Sequence, residues 1–242
     1  MKKNWMLAPA LLCAVSTVQA HQIWLEESSQ GNTVVRFGEF GENLREASPG
    51  LLDKFGKPAA TLVSAKGDTS ADGRKVADGF ALPFKAEKGE SIVAEDAQYP
   101  LYSWGEGDKQ TRSWFYPAAR QITDFSVQRP RLPLDLVPTG SPGELQLVYH
   151  DKPLPKTRIT LTVQSGWMKE AQTDDQGKVT FDMPWAGTYV AEASHNDQTG
   201  GERKGAEGAG KYDVVYYVTT LTYDKPDGIE AVPAGPAASR NK

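Results

Sequence analysis

Apolar residues along this chain gather in short runs rich in β-branched and aromatic side chains, several alternating at every second position, and clusters of Gly, Asp, Asn and Pro separate them. That is the pattern of strands and turns, and helical periodicity is scarce. In the first half the runs predict strands over 21–26, 33–40, 60–65, 79–83, 91–96, 114–116 and 124–127, with room for one short helix within 42–55. In the second half they predict strands over 145–149, 157–164, 171–173, 179–183, 188–194 and 214–223. Between the halves, residues 129–143 read RPRLPLDLVPTGSPG, with four prolines in fifteen positions. Proline fixes φ and donates no backbone hydrogen bond, so this reads as a stiff connection. The expected architecture is all-β, with two immunoglobulin-like or transthyretin-like sandwiches over 21–130 and 144–224, a Pro-rich linker at 131–143 and a disordered tail at 225–242. The polar, Gly-rich stretch after His195 reads as a long loop, which in a compact domain is usually functional or disordered.

The first twenty residues change the picture. Lys2 and Lys3 precede an apolar stretch from Trp5 to Val15, and Val18-Gln19-Ala20 supplies small residues for cleavage, the signature of a secretory signal peptide. The apolar stretch is well short of the roughly 20 residues that span a bilayer, so the expected product is exported to the periplasm and does not span a membrane. Cleavage removes Cys13, the single cysteine, and with it every disulfide or thiolate ligand. It also removes two lysines and no acids, leaving 25 basic against 31 acidic side chains, a formal charge of −6. An acidic chain without Lys/Arg clusters is a poor candidate for nucleic-acid binding.

Cleavage after Ala20 would place His21 at the chain terminus. An N-terminal histidine offers its α-amine and its imidazole Nδ1 to one ion, and tetragonal nitrogen sets favour Cu(II) or Ni(II). The plain alternative is that some residue must come first. Strand parity adds to the argument. His195 shares a face with Tyr189, Ala191 and Ala193, and His21 with Ile23 and Leu25, so both histidines point toward protein at the ends of predicted strands. The expected metal site joins His21 and His195, against the alternative that each is a partly buried histidine bonded to backbone. His150 precedes the turn signal Asp151-Lys152-Pro153 and reads as an exposed turn residue, in reserve as a ligand. Asp197 is the best-placed outer partner for a bound His195 imidazole.

The second half resembles transthyretin-like, carboxypeptidase-regulatory-like modules in its Lys152-Pro153-Leu154 turn, its Thr173-Asp174 followed by Gly177, and its Gly187 with Tyr189. Gly177 suits the positive φ of a tight hairpin, and Asp174 can bond the turn backbone. The chain after residue 20 resembles a periplasmic family of unknown function, often described as the soluble component of nickel or cobalt uptake. The resemblance rests on Ala20 to Glu26, Val35 to Glu39, the turn module, the strand-ending His195 and the closing strand Tyr216 to Tyr223. It implies a transition-metal cargo, nickel or cobalt, and a membrane metal-uptake transporter as partner. Ligand chemistry alone favours copper, highest in the Irving–Williams order. No G-x-S-x-G, H-E-x-x-H or phosphate-binding glycine motif is present, and the expectation is a binding protein and not an enzyme. Two rivals stand beside it: a copper-dependent oxidative enzyme with a histidine brace, and a polymer-binding or adhesion module using the aromatics of residues 99–117. For those aromatics, core packing is the plainer reading.

Overall fold

The structure, a computed structural model, describes residues 21–28, 31–205 and 208–240. The expected signal peptide, residues 1–20, lies outside the described residues. The chain is all-β, as its patterning predicts, and contains only short 3-10 turns besides strands among the described residues.

A nine-stranded sheet forms the centre. Its path runs Met168–Gln172, Arg158–Val163, Gly187–Asp197, Val214–Lys225, Thr111–Ile122, Ser91–Glu95, Ala59–Val63 and Thr69–Asp72, with Leu101–Trp104 paired to one end of Thr111–Ile122. Alternation along its two longest strands explains why it is covered on both sides. Val215, Tyr217 and Leu221 enter one core with Leu134, Leu147 and Ile159, while Val218 enters another with Ile23, Leu25 and Val35. A strand buried on both faces reads as an almost continuous apolar run, which VVYYVTTL does. One cover is the sheet of Gln22–Glu27, Thr33–Glu39, Gly79–Ala81 and Arg74–Val76, to which Leu44–Arg45 adds. The other is Leu134–Pro138, Glu144–Tyr149, Lys152–Pro153 and Lys178–Thr180.

The two expected sandwiches therefore share their middle layer. Thr111–Ile122 from the first half and Val214–Lys225 from the second pair in parallel, from Ser113 opposite Val214 to Ile122 opposite Tyr223. The expected linker at 131–143 is corrected: Leu134–Pro138 is a strand with all five residues buried. Leu134 and Leu136 pack into the core, and the one charged residue between them is buried as an ion pair. Asp135 and Arg120 are both fully buried, with Arg120 Nε 3.0 Å and Nη2 2.5 Å from the two carboxylate oxygens. Arg120 also donates to Ser91 Oγ and Gln128 Oε1, and the backbone N–H groups of Arg131 and Leu132 donate to Asp135. Removing one partner of such a pair strands a buried charge, at a cost of about 3–5 kcal/mol.

Other expectations are also corrected. The stretch 42–55 in which a helix was sought holds the short strand Leu44–Arg45 and a 3-10 turn, Leu51–Lys54, and no strand forms over 124–127. The long loop after His195 contains a hairpin, Gly201–Gly205 with Gly208–Tyr212, anchored by Arg203 donating to the Ala97 carbonyl at 2.8 Å and lying 4.9 Å over the Trp114 ring. The tail expected to be disordered runs along the surface to Arg240. Ile229 exchanges backbone bonds with Pro184 and Ala186, Gly235 accepts from Asn43, and Arg240 donates to the Arg45 carbonyl. Its side chains are mostly exposed, which is why its composition resembles disorder, but its backbone finds partners.

Candidate functional site

His21 opens the strand Gln22–Glu27, and the sequence around Gly38 decides what it meets. Gly38 has φ +144°, and a Cβ there would come 2.3 Å from the Leu44 carbonyl oxygen, so only glycine lets the chain turn back so tightly. The return passes through the Phe40–Glu42 turn and Asn43 in the left-handed region at φ 51°, then pairs Arg45 with Gly38 and Leu44 with Glu39. Glu39 and Glu46 are thereby set on either side of the His21 ring. Nε2 of His21 lies 2.8 Å from Glu46 Oε1, and Nδ1 lies 3.7 Å from Glu39 Oε1.

Glu46 is only 3% exposed, and a buried carboxyl requires a hydrogen-bond partner, which the His21 ring supplies through Nε2. Nδ1 faces Glu39. Phe37 packs 5.1 Å from the ring and holds it. The neighbouring Glu26 is occupied otherwise, 2.6 Å from Arg45 and 3.3 Å from Arg36.

Beside His21 an open cleft of about 590 Å³ lies on the same side of the central sheet. Gln22 and Glu39 line it from the covering sheet, Glu192, Ser194 and Tyr216 from the central one, and Gly41 packs its turn against Thr162. Beneath it Trp24, Phe40 and Val190 form a small buried cluster. Desolvation, then the charge of Glu39, pushes Glu192 up to about 7.

His195 lies elsewhere. It shares its face of Gly187–Asp197 with Ala191 and Ala193, which belong to the core under the other covering sheet, and its ring sits 4.5 Å from that of Tyr149. Glu192 and Ser194, on the opposite face, line the cleft next to His21. The structure therefore does not bring His21 and His195 together: both point inward, but toward different cores across the central sheet. Burial lowers the His195 pKa, with Asp197 opposing and His150 adding to the effect. Asp197 accepts a 2.5 Å bond from the Tyr149 hydroxyl and one from the Thr199 N–H, and these keep its carboxyl below the usual range. His150 is exposed in a two-residue turn, with φ 46° at His150 and 63° at Asp151, and its ring lies 4.3 Å from that of Tyr149, tilted by 58°. Among the described residues no group of three or more His, Cys, Asp or Glu side chains is arranged to hold a metal ion. Nor is any described helix long and apolar enough to cross a membrane.

The aromatic segment splits between two roles. Tyr99, Phe115 and Tyr116 pack into the cores, whereas Tyr102 and Trp104 are exposed, with the Trp104 indole donating to Ser113 Oγ at 2.8 Å. In the sequence Glu39 is one of several early acids, with Glu26, Glu27 and Glu42, that read as ordinary solvated surface, and nothing there points to Glu46 as a partner of His21. The signal available was the glycine at position 38 between an alternating strand and a polar turn, which marks a tight reversal.

Residues 126–197 match a family described as a domain of unknown function (DUF4198). That span contains His150 and His195 and excludes His21. No curated protein matches the chain. Among solved structures, a chain from the work titled "Structural insight into host cell surface retention of a 1.5-MDa bacterial ice-binding adhesin" is 8% identical, with 88% of this chain and 66% of that one covered and a TM-score of 0.23. The present chain thus spans just under two thirds of that structure, at a similarity too low to carry a fold argument.

Proposed function

We propose that the protein is an exported binder of a transition-metal ion, held at His21 and exchanged with a membrane uptake system. The observation that carries this reading is the hydrogen bond between His21 Nε2 and the buried Glu46 carboxylate. It supports the tautomer an amine-plus-Nδ1 chelate needs, because the ring nitrogen left with a lone pair is the one nearest the backbone amine. Three donors would hold the ion: the α-amine freed by cleavage after Ala20, Nδ1 of His21, and the Glu39 carboxylate, which stands 3.7 Å from Nδ1. Two side chains without the amine fall short of a site, in keeping with the absence of a three-side-chain cluster among the described residues. Nitrogen and oxygen donors in a tetragonal set suit Cu(II) and Ni(II). The family resemblance favours nickel or cobalt as cargo. His195 is no part of this site.

The test is calorimetric titration of Cu(II) and Ni(II) into protein beginning at His21, paired with intact mass to fix the first residue. One equivalent should bind tightly, and a version carrying one extra residue ahead of His21 should bind at least about 100-fold more weakly, since the chelate ring is lost. Equal affinity in the two versions would refute the reading.

A further inference from the structure

At the opposite end of Gly187–Asp197 from His195, Trp167 and Trp185 stand edge to face, 5.0 Å apart and inclined by 68°, beside a cleft of about 260 Å³. The turn closed by Gly166 N–H on the Val163 carbonyl, with Gly166 at φ +85°, throws Trp167 outward, where it is 42% exposed. Two features separate this cleft from a stray exposed aromatic. Its far wall, Ala231 and Val232, comes from the C-terminal tail, which Ile229 ties to Pro184 and Ala186 and which Gln164 holds by donating to the Val232 carbonyl at 3.3 Å. None of the nine residues lining it is charged, in a chain of which 24% is charged. Among the described residues the two indole N–H groups, the Ser165 hydroxyl and Gln164 Oε1 have no protein partner, and all four belong to side chains at least partly open to solvent.

We propose that this cleft binds one pyranose ring of a neutral sugar. The lining supplies no counter-charge for a phosphate, a carboxylate, an ammonium group or a metal ion, so its charge complement is a neutral ligand. A purely apolar ligand would leave the indole N–H groups, the Ser165 hydroxyl and Gln164 Oε1 unmet, at a cost that grows as water is excluded. A pyranose answers both demands. Its face of C–H groups lies on the electron-rich face of an indole, and its rim of hydroxyls both donates and accepts. The cleft lies just under the volume of drug-sized pockets and suits a single ring, and its open side lets a longer glycan continue into solvent. It shares no residue with the proposed metal centre.

The probes are the methyl glycosides of glucose, galactose, mannose and N-acetylglucosamine, titrated into full-length processed protein while NMR follows the indole N–H resonances. Saturable shifts of the Trp167 and Trp185 signals are expected with at least one of the four. Trp167→Ala should weaken that binding at least about tenfold and Ser165→Ala about threefold, with circular dichroism confirming that both variants are folded. Cyclohexylmethanol, a six-membered ring without ring hydroxyls, should bind at least about tenfold more weakly than the sugar. Absence of saturable shifts with all four glycosides would overturn the proposal. So would cyclohexylmethanol binding as tightly as the sugar, or sugar binding that Trp167→Ala leaves unchanged. A trisaccharide of the preferred sugar distinguishes the sources: tighter binding than the monosaccharide identifies a polymer chain, equal binding a free sugar, and either supports the pyranose site. A chelator is present throughout, so the outcome does not depend on the metal reading.

Discussion

His21 and His195 both sit at strand ends with their rings turned inward, yet their surroundings differ in kind. His21 stands between two carboxylates beside an open cleft, with one ring nitrogen engaged by a buried acid and the other facing Glu39. His195 stands against the Tyr149 ring on the far side of the central sheet, where burial disfavours its charged form. One setting places an acid at each ring nitrogen beside an open cleft. The other holds an imidazole as a neutral packing element. Facing inward is therefore a weak guide to chemistry, because what matters is whether the second nitrogen finds an acid or a ring.

The largest expected contrast follows directly. In protein beginning at His21, His21→Ala should lower Cu(II) or Ni(II) affinity at least about 100-fold, or roughly 2.7 kcal/mol. His195→Ala should change it by no more than about twofold, and equal losses in calorimetry would erase the distinction. Glu46→Gln keeps the packing but no longer fixes which ring nitrogen bears the proton, since an amide both donates and accepts. Its expected effect is a loss of about 10–100-fold in metal affinity, the usual range for outer partners of metal-bound imidazoles.

Gly38→Ala tests the backbone device behind the first region. With the Cβ forced toward the Leu44 carbonyl, unfolding stability should fall by about 1–3 kcal/mol, seen as a drop of several degrees in thermal melting. The ring-current shifts of Tyr149 and His195 should stay in place by NMR if the two regions are independent. The smallest effect belongs to the second histidine. Its pKa is depressed in the folded state, so between the ordinary value of 6.5 and the lower folded one the unfolded chain binds the proton first. Its stabilising contribution is complete above pH 6.5 and is lost as the pH falls through the folded value. His195→Gln should flatten the acid side of the stability curve, and an unchanged slope in denaturant titrations below pH 6.5 would contradict that assignment.

Much of the strand pattern was legible from the sequence because period-two alternation is a local property. Thr33–Glu39, Ser91–Glu95 and Val214–Lys225 begin where the alternation places them. The inward turn of His195 was legible for the same reason. Which core it turns toward was not, since a sheet covered on both sides has two interiors and parity does not distinguish them. The Pro-rich segment misled for another reason. The prolines are real chain stiffeners, but Asp135 among Leu134, Leu136 and Val137 is buried by an arginine fifteen residues earlier, and no local pattern announces that pairing. The tail from Lys225 onward has too few apolar side chains to predict order, and its backbone bonds to Pro184, Ala186 and Asn43 depend on where the rest of the fold happens to lie. Around His21, Glu39 and Glu46 come to the ring only through the reversal at Gly38, which no local pattern of acids announces.

The parallel seam between Thr111–Ile122 and Val214–Lys225 bears on the order of events during biogenesis. Ser113 waits for Val214, so the middle of the sheet cannot close until nearly the whole chain has emerged. Contacts this far apart in sequence are slow to form, and until they do a twelve-residue strand offers an open edge. A chain cut short before residue 214 would keep that edge exposed and should aggregate, whereas loss of the last few residues of the tail should not. Late closure also suits the export proposed above, because it keeps the fold from locking before an extended chain has completed its passage.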